Sequence, residues 1–167
     1  MSLVLDLDQI SPGDWNRCGG KAAALAEVAV QGFDVPKTVC LTTDLFSQYM
    51  DATGLRDRIL FEIHRKPFEQ MRWEEIWDLS LRVRQMFTRA PFPGDLEGEI
   101  ARMVSHRLAG VPMAVRSSSP EEDGKKASFA GIHQSFLNVQ GLDDLLVRIR
   151  QVWASLYSDA ALMYRKD

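Results

Sequence analysis

The sequence predicts a helix-rich α+β fold, and three observations lead to this prediction. Apolar residues recur at helical spacing through most of the first two thirds of the chain, for example at Ile76, Leu79 and Val83. The pattern then changes to short apolar or β-branched segments at 111–118 and 134–139, which are typical of strands. The chain has 167 residues, of which 46% are apolar and 26% charged, so it is long enough to bury a core and has an ordinary globular composition.

The N-terminal elements are predicted from alternation and from turn signals. Residues 4–8 alternate between apolar and polar side chains, which predicts a short strand, and the Ser-Pro-Gly-Asp sequence at 11–14 predicts a turn. A helix is expected over residues 21–30, because strong helix formers follow two glycines there. Gly32 suits the left-handed position that often ends a helix.

The middle of the chain is predicted to contain one strand and several packing helices. Residues 37–42 are apolar and β-branched enough to form a strand, after which Thr42 or Thr43 can cap a helix that Gly54 closes. Helical spacing of apolar residues then predicts three further helices, at 55–66, 72–89 and 96–108.

The C-terminal segment is predicted to be one long helix. Gly141 precedes a stripe of apolar residues over 142–163, and Asp143 and Asp144 suit the positive end of a helix that starts there. Neither glycine nor proline stops this helix before Asp167, so we expect the chain to be a fragment of a longer protein. No linker in the sequence argues for two independent domains.

Three tryptophans and the three histidines are predicted to have structural and not catalytic roles. Trp73 and Trp77 lie on the helical stripe of residues 72–89, and Trp153 lies on that of the last helix, so all three are predicted to be core residues. The three histidines have no metal-ligand spacing among themselves and no nucleophile partner in a recognisable motif. We expect them to be surface residues or internally satisfied: His64, His106 and His133.

Composition and charge exclude several classes of protein. The 23 acidic and 20 basic residues leave a net charge of -3, without the basic footprint of a duplex nucleic-acid binder. No apolar run approaches the roughly 18 residues that a membrane span needs, and the N-terminus does not have the pattern of a secretory signal. Cys18 and Cys40 are too few for a disulfide framework and have no zinc-site spacing. We therefore expect a cytoplasmic protein that binds neither nucleic acid nor a membrane.

The first candidate binding feature is the Gly-Gly-Lys sequence at 19–21. Two flexible residues and a cation stand at a predicted helix start, where backbone N–H groups and the helix dipole favour an anion. The segment is not a P-loop, because the first glycine of that motif would fall at Asp14 or Trp15, and Ala22 replaces the hydroxyl. Two interpretations stay open: a phosphate site and an ordinary helix start with a solvated lysine.

The second candidate is Arg116, which ends a predicted strand beside a run of serines and can donate to phosphate oxygens. The next residues also fit a capping box, since Glu122 stands three residues after Ser119. The acids at 121–123 would repel bare phosphate unless they point away or face a metal. Small residues at 125–131 allow either a close backbone approach to a ligand or a tight hairpin.

Together these motifs resemble the N-terminal nucleotide-binding region of the phosphoenolpyruvate synthase (pyruvate, water dikinase) and pyruvate phosphate dikinase family. Their order and spacing cover almost the whole chain, so the set is specific although each motif alone is weak. The matching segments are GGKAAAL at 19–25, VP at 35–36, VRSS at 115–118, ED at 122–123, ASFAG at 127–131, FLNV at 136–139 and ASLY at 154–157.

The resemblance implies that residues 1–167 are the N-terminal, lysine-bearing lobe of an ATP-grasp fold, with a small and mainly antiparallel sheet. It implies that Lys21 and Arg116 contact ATP phosphates. Ser128 and Gly131 fall in the loop over the triphosphate, and Ser135 falls on a hydroxyl contact in the next strand.

In this family the whole enzyme transfers the β-phosphoryl group of ATP to a histidine on a mobile domain, which then phosphorylates pyruvate. The resemblance therefore implies ATP and Mg²⁺ as cofactors, and a second ATP-grasp lobe and a phosphohistidine domain as partners within the full-length protein. The metal ligands and the reactive histidine lie C-terminal to the matching region, so no catalytic or metal-ligating residue is expected in this chain, which alone is expected to be inactive.

Two departures from the synthases keep the acceptor open. Ser119-Pro120-Glu121 stands where they usually have Ala-Thr-Ala, and Ala160 stands where they usually have arginine. Related enzymes use rifamycin antibiotics, glucans or phosphate as acceptors in place of pyruvate. A non-catalytic module that binds a nucleotide or another protein is the alternative from a different class.

Overall fold

The computed structural model describes residues 2–118 and 134–164 and confirms the predicted helix-rich α+β class. Within these ranges there are eight α-helices: α1 (Trp15–Cys18), α2 (Gly20–Val30), α3 (Thr43–Ala52), α4 (Leu55–His64), α5 (Trp73–Arg89), α6 (Gly94–Arg107), α7 (Gly141–Ser155) and α8 (Asp159–Tyr164). The strands of the same ranges are β1 (Val4–Asp6), β2 (Val39–Leu41), β3 (Met113–Arg116) and β4 (Ser135–Val139). No helix in the described part of the chain is both long and apolar enough to cross a membrane.

The described strands pair antiparallel, as predicted, but they form two separate two-stranded sheets. β1 pairs with β2, so that Leu5 stands opposite Cys40. β3 pairs with β4, so that Arg116 stands opposite Ser135. A two-stranded sheet is marginal by itself, so each needs helices packed against it.

The described residues divide into two compact units, each built from segments that are distant in sequence. The first contains residues 2–49, 94–111 and Ser118, and the second contains residues 50–93, 112–117 and 134–164. Because each unit is assembled from several segments, no linker composition marks the division in the sequence.

The first unit packs α2 and α6 with the β1–β2 sheet. Ala22 and Ala26 of α2 are buried in one cluster with Leu5 of β1 and Cys40 of β2. The small alanine side chains let the helix backbone come close to the sheet. On the side of α6, the buried carboxylate of Asp6 forms an ion pair with Arg107.

The second unit is organised around α5, which packs against α4, α7 and α8. Its buried residues follow helical spacing: Ile76, Leu79, Ser80, Val83 and Phe87. α7 contacts both α5 and the β3–β4 sheet. Arg150 of α7 donates to the carbonyl oxygens of Thr88 and Ala90 at 3.2 and 3.0 Å, which satisfies backbone groups at the C-terminal end of α5.

The prediction that three tryptophans belong to the core is wrong for two of them. Trp73 is 59% exposed and Trp77 is 45% exposed. Trp77 lies about 100° round the helix from the buried Ile76, off the centre of the buried stripe, and Trp73 is the first residue of α5. Trp153 is half-buried, with its ring centroid 5.5 Å from that of Phe92.

The prediction of one long C-terminal helix is also wrong, because the chain turns between α7 and α8. The N–H groups of Leu156 and Ser158 donate three residues back, to Trp153 at 3.2 Å and to Ser155 at 3.1 Å, in place of the α-helical pattern. Ser158 then caps α8, since its Oγ accepts from the N–H of Ala161 at 3.1 Å. The apolar stripe continues across the turn, which is why periodicity alone missed it.

Candidate functional site

Lys21 lies in the first turn of α2 and is exposed. Gly19 is the N-cap residue, with φ 76° and ψ 166°, a backbone conformation that is essentially restricted to glycine. The two glycines of the Gly-Gly-Lys sequence therefore differ in role: Gly19 makes the turn, and Gly20 begins the helix. The predicted helix start after the glycines is confirmed to within one residue.

The first turn of α2 carries a cation and no acidic residue. Within the described residues, each of the other helices of ten residues or more has an acidic residue in its first turn: α3, α4, α5, α6 and α7. A carboxylate there offsets the positive end of the helix dipole, whereas Lys21 adds to it. The start of α2 is thus suited to an external anion.

Ser118 lies directly against this helix start. The N–H of Ala22 donates to its Oγ at 3.1 Å, so a residue 96 positions away supplies the cap that Gly19 has no side chain to supply. A Cβ on Gly19 would lie only 2.4 Å from the carbonyl carbon and oxygen of Ser118. Sequence reasoning did not assign this role to Ser118. The signal available was the run of hydroxyls after a strand, but it did not indicate which helix they meet.

The residue before this turn is anchored in the core of the first unit. Cys18 is 2% exposed and Cys40 of β2 is 7% exposed. The Cys40 thiol contacts the carbonyl oxygen of Cys18 at 3.7 Å. A hydrogen bond with the Cys18 side chain, together with burial, raises the pKa of the Cys40 thiol above its usual value, so Cys40 stays protonated.

Arg17, the other cation near the turn, is neutralised by carboxylates. Its guanidinium donates to Asp44 and to Asp14, both at 3.0 Å, and to the carbonyl oxygen of Ser2 at 2.7 Å. The hydrogen bonds to Asp44 and Asp14 raise the pKa of Arg17 above its usual value. Arg17 is therefore a structural residue that holds the segment before Gly19 against the start of α3.

In the second unit, Arg116 and Ser135 are brought together as cross-strand partners. Directly opposite residues of an antiparallel pair project from the same face of the ladder, and both residues are exposed. The structure thus joins two of the residues that the resemblance assigns to ATP binding. Sequence spacing alone could not give this pairing, because it depends on the register of the two strands.

A β-bulge and a helix fix the β3–β4 sheet. The register shifts between Met113 and Val115, and Asn138 has a positive φ of 57° there. Met113 and Val139 are buried cross-strand partners, and α7 contacts both strands. Arg148 of α7 stacks over the Phe136 ring at 5.0 Å from its centroid.

Several predicted features fall outside the described residues: Ser128, Gly131, His133, the capping box of Ser119 and Glu122, and the loop at 125–131. Of the other histidines, His64 is exposed with its Nδ1 2.8 Å from the Leu60 carbonyl oxygen, and His106 is exposed, as predicted. The described part of the chain contains no group of three or more His, Cys, Asp or Glu side chains that could hold a metal ion.

Comparison with known families matches residues 15–167 to the family described as "Pyruvate phosphate dikinase, AMP/ATP-binding domain". The chain belongs to this family. It is therefore a member of an AMP/ATP-binding domain family, and its helix-rich α+β fold is consistent with the partial ATP-grasp fold that the resemblance implied.

Curated relatives extend the comparison over almost the whole chain. The chain is 35% identical to the phosphoenolpyruvate synthase of Escherichia coli K12, over 98% of this chain and 21% of the relative. It is 33% identical to the rifampicin phosphotransferase of Bacillus cereus and 36% identical to that of Streptomyces sviceus, in each case over 98% of this chain and 19% of the relative. The chain thus spans about a fifth of the length of these relatives.

Proposed function

We propose that this chain provides phosphate-binding residues for ATP in a phosphotransferase of the phosphoenolpyruvate synthase type. The observation that carries the proposal is the start of α2, where Lys21 stands in a first turn without acidic residues and Ser118 caps the helix from a distant segment. The family match to an AMP/ATP-binding domain supports ATP as the anion.

Each residue has a distinct role in this proposal. The Lys21 ammonium is a flexible point charge that neutralises phosphate oxygens, and the backbone N–H groups at the start of α2 add directed donors. The Arg116 guanidinium donates two parallel hydrogen bonds to phosphate oxygens, and the Ser135 hydroxyl on the same face adds a third donor. Ser128 and Gly131 let backbone N–H groups approach the triphosphate closely. Such positioning and charge stabilisation are most of what phosphoryl transfer requires.

The rest of the catalytic apparatus is proposed to lie in other parts of a longer protein. Residues 1–167 act as the N-terminal lobe, and a second ATP-grasp lobe completes the nucleotide site and supplies the ligands for Mg²⁺. A histidine on a separate domain accepts the phosphoryl group and passes it to pyruvate. The small share of each curated relative that this chain spans supports this division.

Rifampicin is a second candidate acceptor. The rifampicin phosphotransferases of Bacillus cereus and Streptomyces sviceus are 33% and 36% identical to this chain, and the phosphoenolpyruvate synthase of Escherichia coli is 35% identical, so identity does not separate the two classes. The nucleotide-binding role proposed for Lys21 and Arg116 is the same in both.

The experiment that tests the proposal is turnover of ATP by the purified full-length protein with each acceptor. Formation of phosphoenolpyruvate from pyruvate, lost in Lys21→Ala and Arg116→Ala, is the expected result. If the product is phosphorylated rifampicin and not phosphoenolpyruvate, the proposed ATP site stands and rifampicin replaces pyruvate as the acceptor. Full ATP-dependent turnover by both variants would overturn the assignment of Lys21 and Arg116.

A further inference from the structure

Two independent features join Ser118 to the start of α2. The first is the hydrogen bond that the Ala22 N–H donates to Ser118 Oγ at 3.1 Å. The first hydrogen bond within the helix runs from the Ala23 N–H to the Gly19 carbonyl oxygen at 3.2 Å. The Ala22 N–H precedes it and has no acceptor inside the helix. Ser118 therefore satisfies a backbone donor in the turn that carries Lys21.

The second feature is the direct backbone approach at Gly19. A Cβ built there would meet the carbonyl carbon, the carbonyl oxygen and the Oγ of Ser118 at 2.4, 2.4 and 2.6 Å. Contacts this short are repulsive for any side chain. Ser118 thus occupies the space that a Cβ would take on any residue other than glycine. This close packing and the hydrogen bond together fix the position of Ser118 against the start of α2.

We propose that Ser118 is a positioning residue for ATP, which holds the first turn of α2 so that Lys21 and the neighbouring N–H groups point at the phosphates. This inference rests on the proposed function of Lys21. Ser118 Oγ accepts from the Ala22 N–H, so Ser118 acts through the first turn of α2, and its effect is expected on the phosphate part of the nucleotide. It also links the segment after Arg116 in the chain to the turn of Lys21.

The test compares ATP and adenosine binding by the purified full-length protein and its variants, using titration calorimetry. Losing a helix cap of this kind costs about 1 kcal/mol, so we expect Ser118→Ala to weaken ATP binding about fivefold. Adenosine binding stays unchanged, and Ser118→Thr, which keeps the hydroxyl, restores most of the ATP affinity.

Ser158→Ala is the matched control, because Ser158 caps α8 through the same 3.1 Å hydrogen bond from a backbone N–H. It should lower stability to a similar extent and leave ATP binding unchanged. An equal loss of ATP affinity in Ser158→Ala, or an equal loss of adenosine and ATP binding in Ser118→Ala, would show a merely structural role and overturn the inference.

A double-mutant cycle separates this inference from the function on which it rests. If Ser118 acts by positioning Lys21, Ser118→Ala weakens ATP binding less in the Lys21→Ala background than in wild type, because only its effect through the neighbouring N–H groups remains. Additive effects of the two substitutions would refute the positioning role while leaving Lys21 as a phosphate ligand. A Lys21→Ala variant with wild-type ATP affinity would instead refute the proposed function itself.

Discussion

Gly19→Ala adds one methyl group at a position where the structure leaves no space for it. Gly19 has φ 76° and ψ 166°, where a residue with a Cβ costs about 1–3 kcal/mol. The added Cβ would also lie 2.4 Å from the backbone carbon and oxygen of Ser118. Since carbon atoms make contact at about 3.5 Å, Ser118 must retreat by about 1 Å.

That displacement breaks the 3.1 Å hydrogen bond between the Ala22 N–H and Ser118 Oγ, which costs about a further 1 kcal/mol. The expected total is about 2–4 kcal/mol of unfolding free energy from the two terms. Urea unfolding followed by circular dichroism measures it, and ATP titration of the same protein should show at least the weakening expected for Ser118→Ala.

Gly32→Ala is the control for the backbone term alone. Gly32 has a positive φ of 88°, and nothing lies within 4 Å of the position of its Cβ. This variant should lose only the cost of the positive φ and keep its ATP affinity. Equal stability of Gly19→Ala and Gly32→Ala, with equal ATP affinity, would refute the argument that a close approach of Ser118 fixes the start of α2.

Three further predictions concern the scaffold. Phe87→Ala removes a fully buried side chain from α5 and should lower the unfolding free energy by about 3–5 kcal/mol in urea unfolding. A loss no larger than that of a typical surface substitution would contradict the packing. The hydrogen bonds that Lys66 Nζ and the Arg72 N–H donate lower the pKa of Glu75 to about 2. Because this pKa lies below the unfolded value of about 4.3, the stabilisation is complete above that pH and is lost toward pH 2. The melting-temperature advantage of wild type over Glu75→Gln should therefore shrink between about pH 5 and pH 2, and a constant difference would exclude this origin. At the β-bulge, where Asn138 has φ 57°, Asn138→Val should cost about 1–2 kcal/mol more than Asn138→Gly in thermal unfolding, and equal losses would contradict the left-handed conformation.

Local signals were sufficient to predict most elements of the fold. The run of helix formers after two glycines predicted α2, and alternation, apolar runs and β-branched residues together predicted the four strands of the described residues. Where local and long-range effects compete, the sequence was ambiguous. The apolar stripe continues across Ser158, so helical periodicity did not indicate the turn between α7 and α8. The same kind of stripe led to the wrong prediction that Trp77 is buried.

The candidate site was predictable only in part, for a related reason. Lys21 and Arg116 could be singled out because a cation at a helix start or a strand end is a recognisable local pattern. The contact of Ser118 with Gly19 joins segments 96 or more residues apart, and no local pattern specifies it. Likewise, the pairing of Arg116 with Ser135 depends on a strand register that includes a bulge.

The most direct test of the central claim is the ATP affinity of the purified full-length protein in four variants. Lys21→Ala and Arg116→Ala each remove a charge-assisted contact worth about 1.5–3 kcal/mol, so each should weaken ATP binding about tenfold or more. Lys37→Ala and Arg58→Ala remove exposed cations of the same types, one from each unit, and should leave it unchanged. If all four variants bind ATP as wild type does, or if the controls lose as much affinity as the site variants, the start of α2 and the end of β3 do not bind the ATP phosphates.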